Sequence, residues 1–395
     1  SLDEALRAEG QSHYFNVTGA GLEASVIGNA LERGIGYSGH RHLDLLDLEV
    51  VLPTGDVTQT SRFAFSSISP YHGGLGPDPT GLFCQSNFGI VTAATVPLHR
   101  RPEVMGGVLC HLADHRFLSD FISVLSDVIA EGACHGVPHL FNRERVVTTL
   151  SAHLEPARAA ELKAGAASWT ALIPIKGCRA VFEASTNYLK TVLGPFGRIE
   201  ILGEKADAAL SGLVQGHPSD VALASVAFSV FGRSAQINAP MEASGAGLIH
   251  VTPVVPLCGK EVCNIEHQTH QTLRRHGYEG VPLSLNALSA RTAVLVVSLG
   301  FDRRCPEKTR SARKAAADLL KTYLRSGLVP YRLGLEQGNL IPPMERPWMR
   351  IISEIQRIFD PSGCMAPSRY EPLWRGMLPP QETNETKGAE LCTTQ

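Results

Sequence analysis

Three glycines, a carboxylate, a guanidinium and a phenol fall together at Gly28-Asn29-Ala30-Leu31-Glu32-Arg33-Gly34-Ile35-Gly36-Tyr37. Glycine allows φ > 0 and lets backbone N–H groups come close to a ligand. Runs of such groups form concave anion sites. Taken alone, the stretch reads as a tight turn between two elements. Two later stretches bear on that choice. Leu48 to Leu52 is strand-like and enters the turn Pro53-Thr54-Gly55-Asp56. Further on, Gly81-Leu82-Phe83-Cys84-Gln85-Ser86-Asn87-Phe88-Gly89-Ile90-Val91-Thr92 sets amides and glycines before an apolar strand.

Other groups could also do chemistry. Tyr331-Arg332 places a phenol beside a guanidinium, a pair able to stabilise an aryl oxyanion. Without further context the same pair reads as a packed tyrosine and a salt-bridged arginine. His250 sits in the strand-like run Gly247 to Pro253, on the same face as Leu248. It reads first as a hydrogen-bonded histidine of the core or its rim. His267, His270 and His276 approach a metal-binding spacing but lack an HExxH arrangement, so Glu266 to His270 reads as a solvent-facing polar helix. The nine cysteines form no CxxC pair, and Cys258 and Cys263 are wrongly spaced for a zinc ribbon. They read as reduced thiols of a cytoplasmic protein.

The elements that must position these groups can be read from composition and period. The chain has 395 residues, 44% hydrophobic and 19% charged, a soluble globular balance long enough for two domains. A formal net charge of −2 gives no electrostatic case for nucleic acid or an anionic membrane. The clusters Arg303-Arg304 and Arg310 to Lys314 read as a solvated helix face. No apolar run reaches the ~18 residues of a membrane span, and no signal peptide is visible. Helices are expected at residues 3–9, 117–130, 177–193, 258–276, 306–326 and 348–359. A hairpin is expected at 46–52 and 57–61, and a buried strand at 88–98. Further strands are expected at 105–109, 168–174, 199–202, 247–253 and 292–299, with 146–150 short and extended and 62–80 loop-rich. From residue 105 onward the pattern is that of an α+β unit, with helices on one face of an antiparallel sheet.

In order and spacing, the three blocks resemble the flavin domain of the vanillyl-alcohol oxidase and p-cresol methylhydroxylase family. There the sequence reads close to GNAxERGxGY, then LEVVLxxG, then GLFxQSNxGIVT. Asp360-Pro361-Ser362-Gly363-Cys364-Met365-Ala366-Pro367-Ser368-Arg369 is similar to the family's DPxGxxAPG-K/R ending, with Ser368 in place of a glycine. The resemblance implies a partial FAD-binding domain at 1–105 and 330–380 and a cap domain at 106–329, and the Gln-, Glu-, Thr- and Lys-rich composition of 381–395 reads as a disordered tail. It implies FAD contacts at Ser25, Asn29, Glu32, Gly36, Tyr37, Asn87, Gly89, Ile90, Val91 and Arg369. It makes Tyr331 and Arg332 a phenolate-binding pair.

Several relatives bond the flavin covalently from the strand matching Gly247 to Pro253. Alignment on Pro253 puts Leu248 at that position, so FAD is expected to bind non-covalently, with His250 the nearest alternative. Where relatives carry a catalytic aspartate and a triple glycine, this chain has Gly19, Ala20 and Gly21, then Leu22-Glu23-Ala24. Relatives carry their pyrophosphate-gripping loop, and one of the phenol-binding tyrosines, before a helix like that at 3–9. This sequence opens after that part, which points to a homo-oligomer or to a partner chain supplying the segment. The implied activity is FAD-dependent oxidation of a small phenolic or related aromatic substrate by hydride transfer. The alternative is a flavin-free derivative of the same fold, serving as a non-redox enzyme, a binding protein or a partner subunit.

Overall fold

The computed structural model describes residues 2–17, 21, 24–61, 72–73, 76–152, 156–203, 214, 216–217, 221–232, 241–341 and 347–366. The first part of the chain makes short elements: α1 (Leu2–Ala8), β1 (His13–Tyr14), α2 (Val26–Leu31), β2 (Ile35–Gly36) and β3 (Gly39–His40). Strands β4 (Asp47–Val51), β5 (Val57–Gln59) and β6 (Ile90–Thr95) then form an antiparallel sheet in the order β5-β4-β6. Leu45, Leu48, Val50, Phe83 and Phe88 make its core. Strand β7 (His99–Arg100) pairs with β1.

The larger unit comes next: β8 (Val104–Leu112), α3 (Leu118–Ala130), β9 (His139–Asn142), α4 (Arg143–Ser151), α5 (Pro156–Gly165), β10 (Trp169–Gly177), α6 (Arg179–Leu193) and β11 (Gly197–Leu202). Then come α7 (Val221–Phe231), α8 (Met241–Ser244), β12 (Ala246–Val251), β13 (Val254–Pro256), α9 (Gly259–Arg274), β14 (Leu283–Ser289), β15 (Thr292–Asp302) and α10 (Pro306–Arg325). Their strands form one eight-stranded antiparallel sheet in the order β11-β8-β10-β9-β14-β15-β12, with β13 also paired to β15. The chain then returns to the small sheet. There α11 (Pro347–Phe359) lays Ile352, Ile355 and Phe359 on its core, and Phe359 stacks on Phe88 at 5.6 Å.

The main core lies between one face of the large sheet and the helices α3, α6, α9 and α10. Alternate residues supply it, as the period of two demands. They include Val108 and Cys110 of β8, Ile173 and Ile175 of β10, and Leu295, Val297 and Leu299 of β15. Two of the long helices end where glycine can take φ > 0: Gly277 at 79° after α9 and Gly327 at 76° after α10.

Three expectations are corrected. Residues 146–150 are helical rather than extended. Asn142 caps α4 by accepting the Arg145 N–H at 2.9 Å, and this cap outweighs the β-branched run Val146 to Thr149. Residues 88–98 do not form a buried strand, because β6 is an edge of the small sheet and leaves Ile90 56% exposed. The stretch Glu266 to His270 is not solvent-facing throughout. Glu266 is buried, accepts the Trp169 Nε1–H at 3.2 Å and pairs with His115 at 2.9 Å. The expected loop at 62–80 falls largely outside the described residues. Among the described residues no helix is long and apolar enough to cross a membrane.

Candidate active site

The Gly28 loop is a capped helical turn. Ser25 is exposed and its Oγ accepts the Gly28 N–H at 3.0 Å. The N–H groups of Asn29, Glu32, Arg33 and Gly34 are each bonded to a carbonyl two to five residues earlier. Tyr37 donates its N–H to Val17 O, and Ser38 donates its own to Asn16 Oδ1. An anion nest needs these donors free, so these N–H groups act as those of a tight turn. The glycines serve close packing instead: a Cβ at Gly34 would strike Asn29, one at Gly36 would strike Asn16, and one at Gly89 would strike Val50. In this loop the left-handed backbone belongs to Arg33, at φ 54°.

What the loop does achieve is to present side chains to the large unit. Tyr37 is buried edge-on to Tyr14, with ring centroids 6.4 Å apart, and Lys176 Nζ lies 5.2 Å from its ring centre. Burial drives the Tyr37 hydroxyl far above its ordinary pKa, and that hydroxyl has no partner among the described residues. Gln85, at φ 53°, ties the small sheet to the returning chain by donating Nε2 to Tyr331 O at 2.8 Å. Tyr331 in turn donates its N–H to Thr252 O, just past β12. Its ring lies 6.3 Å from that of His40. The Arg332 guanidinium lies 5.4 Å from the Tyr331 ring centre, and the Tyr331 hydroxyl is enclosed by protein. Burial pushes that hydroxyl up, Arg332 pulls it back and Glu32 pushes it up again.

The large sheet turns its second face toward this seam. On it His250 of β12 stands opposite Ser298 of β15, and His250 Nδ1 bonds Ser298 Oγ at 3.1 Å. Arg145 of α4 donates to the same Ser298 Oγ. His250 is exposed at the protein surface. Desolvation by the protein around it, with Arg145 and Arg332 adding positive charge, pushes its pKa down from 6.5 to about 4. His139 of β9 is buried on the same face, bonds Asn286 at 2.8 Å and is likewise pushed down to about 4 by burial. Ser298 also lines a cavity of about 530 Å³ walled by α4, α5 and α7.

Tyr331, Arg332, His250 and Glu32 therefore share one neighbourhood. Ile90 and Val91 pair with β4, and Asn87 donates Nδ2 to Met365 O while its Oδ1 stays unpaired among the described residues. Asn29 accepts from Arg41 at 3.2 Å. Arg369, Gly19, Ala20 and Glu23 lie outside the described residues. Ser298, His139 and Asn286 carry no sequence signal beyond polar residues at alternate strand positions, and Arg145 on α4 carries none.

No protein-family model matches the chain. It is 26% identical over 425 residues to the 1'-carboxy-chondrochloren decarboxylase of Chondromyces crocatus, covering 95% of this chain and 77% of that one. It is 22% identical over 366 residues to the 4-cresol dehydrogenase [hydroxylating] flavoprotein subunit of Pseudomonas putida, covering 88% and 68%. The 4-ethylphenol oxidase of Gulosibacter chungangensis, in an isoeugenol complex, superposes with TM-score 0.80 at 19% identity, over 96% of this chain and 75% of that one. The chain has the vanillyl-alcohol oxidase fold. A substrate-bound p-cresol methylhydroxylase structure agrees, with TM-score 0.75 at 18% identity over 93% and 73% of the two chains.

Within the vanillyl-alcohol oxidase fold, Tyr37 OH, Ser86 Oγ and Asn87 Oδ1 of the small unit are buried atoms without a partner among the described residues, and their chemistry fits the hydrogen-bonding edge of a flavin ring. The N–H groups of the Gly28 loop, already bonded within the protein, do not fit a pyrophosphate. Leu248 packs against Val226, Ala227 and Ala246, and its side chain offers no atom for a covalent flavin bond.

Proposed function

We propose that the chain is an FAD-linked oxidoreductase acting on a phenolic substrate at the seam between the two sheets. The observation that carries this reading is the Arg332 guanidinium 5.4 Å from the Tyr331 ring, with its charge felt at His250 and the Glu32 charge felt at the Tyr331 hydroxyl. FAD binds non-covalently, with Tyr37, Asn87, Ser86 and Glu32 as its contacts, and when bound it supplies the hydride acceptor. Arg332 directs guanidinium N–H groups at the phenolate oxygen. Tyr331 stays protonated at neutral pH and donates a second hydrogen bond. Together they stabilise the oxygen while the benzylic C–H is broken. His250 is neutral at neutral pH and can accept a proton. The small unit is read as residues 1–105 with 330–380, and the cap as 106–329.

Support also comes from the relatives, since a phenol oxidase and a cresol dehydrogenase flavoprotein subunit share most of the chain's length with it. A second reading is favoured by the decarboxylase relative, whose name places a carboxyl group on that protein's substrate. The same pocket would then release carbon dioxide. Assembly belongs to the proposal as well. Trp348, Ile351 and Ile358 form an exposed apolar stripe on α11, and Val57 and Ile90 add apolar surface at the small sheet's edges. Such surface is normally covered, and we assign that cover to a second copy or a partner chain.

The direct test is Arg332→Lys beside Tyr331→Phe. Lysine cannot reproduce the two parallel bonds of a guanidinium. Arg332→Lys is expected to lower turnover of 4-ethylphenol by ~10²–10³, Tyr331→Phe by less, with melting temperatures held. Unchanged turnover beside a lower melting temperature would make Arg332 structural and overturn the reading.

A further inference from the structure

Arg145 is a cation that the phenolate site does not require. It lies on α4, one turn into a helix whose neighbours Arg143, Glu144, Val147 and Thr148 line the cavity beside Ser298. Its guanidinium donates to Ser298 Oγ, and its Nε is buried without a partner. Among the described residues no carboxylate pairs with it. Enclosure alone pulls it down to about 10. An enclosed cation without a counter-ion is costly, and removing the partner of such a charge is strongly destabilising. A fold that keeps one in place has a use for it. Arg332 adds a second positive charge near His250, and its guanidinium lies 5.4 Å from the Tyr331 ring centre. The neighbourhood therefore holds two guanidiniums, one neutral imidazole and, at the Tyr331 end, the Glu32 carboxylate. Among the described residues it lacks one anion at the Arg145 end.

We propose that Arg145 receives the carboxylate of an aromatic acid whose phenol end lies at Tyr331 and Arg332, so that the substrate is a phenolic carboxylic acid. A planar guanidinium matches a carboxylate with two parallel N–H donors. Ser298 holds the fork from the opposite side, with His250 fixing the Ser298 hydroxyl in turn. The cavity of about 530 Å³ beside Ser298 gives room next to the acid end. The phenol half rests on the function proposed above, whereas the carboxylate half does not.

Three probes separate the halves by isothermal titration calorimetry: 3-phenylpropanoate carries the acid alone, 4-ethylphenol the phenol alone, and 3-(4-hydroxyphenyl)propanoate both. In the parent protein the two acids are expected to bind. Arg145→Gln should weaken both acids by about 10- to 100-fold, the range for a hydrogen bond to a charged group, and leave 4-ethylphenol within about twofold. Arg145→Lys should recover part of the loss. Because Arg145→Gln removes an uncompensated enclosed charge, its melting temperature should hold or rise. Loss of phenol binding with acid binding retained would sink the phenolic reading and leave the carboxylate site standing. The proposal is overturned if neither acid binds the parent protein. It is equally overturned if Arg145→Gln leaves acid affinity unchanged, or if it lowers the melting temperature and weakens all three probes alike.

Discussion

The two faces of the eight-stranded sheet are built from neighbouring residues of the same strands and have opposite chemistry. On β15, Leu295, Val297 and Leu299 point to the helices and are fully or nearly fully buried. Ser298, between two of them, points the other way and carries hydrogen bonds to His250 and Arg145. On β9, Leu140 joins the helix-side core while His139, one residue earlier, is bonded to Asn286 on the second face. The first face gains stability from apolar burial. The second buries His139 and the Nε of Arg145 at the expense of stability, and that is where a functional site is expected.

The largest expected effect breaks the first face. Leu140→Ala removes a fully buried side chain from the helix-side core and should cost roughly 2–5 kcal/mol. Denaturant unfolding measures the loss, and ligand binding per folded molecule should stay unchanged. The same truncation would abolish binding selectively only if the apolar face also made the site.

Acid sharpens the contrast. His139 titrates at about 4 in the folded chain against 6.5 ordinarily. Between those values the unfolded chain binds more protons. Stability is therefore full above about pH 6.5 and falls as pH drops toward 4, by on the order of 3 kcal/mol. His139→Gln should flatten that part of the pH–stability curve. An equally steep curve in the variant would assign the acid sensitivity elsewhere.

A smaller effect tests the Gly28 loop. Gly36→Ala forces a Cβ against Asn16 Oδ1 and Val17 O, so it should destabilise by about 1–3 kcal/mol. The loss should appear equally with and without FAD. A variant of normal stability that had lost FAD affinity would restore the ligand-cradle reading of that glycine.

The contrast also marks what could be read from sequence. The helices α3, α6, α9 and α10 declared themselves by apolar period and by Gly277 and Gly327, because one-sided burial writes a period into the chain. The three ordered blocks led to the right fold. Arg145 did not declare itself. In Phe141-Asn142-Arg143-Glu144-Arg145 it looks like one more surface charge, and its partner Ser298, which in turn bonds His250, lies 153 residues away. The glycines misled for a related reason. A residue lacking Cβ looks the same whether a ligand or the protein's own Asn16 fills the space.

The central claim is that the polar face and the small unit together hold a flavin that a phenol can reduce. The most direct measurement is anaerobic: load the protein with FAD, add 4-ethylphenol or 3-(4-hydroxyphenyl)propanoate, and follow the visible flavin absorption. The account predicts that FAD is taken up, that its absorption bleaches on phenol addition, and that acid precipitation leaves the flavin in the supernatant. A protein that stays colourless with FAD, or holds FAD whose absorption no phenol bleaches, would contradict it.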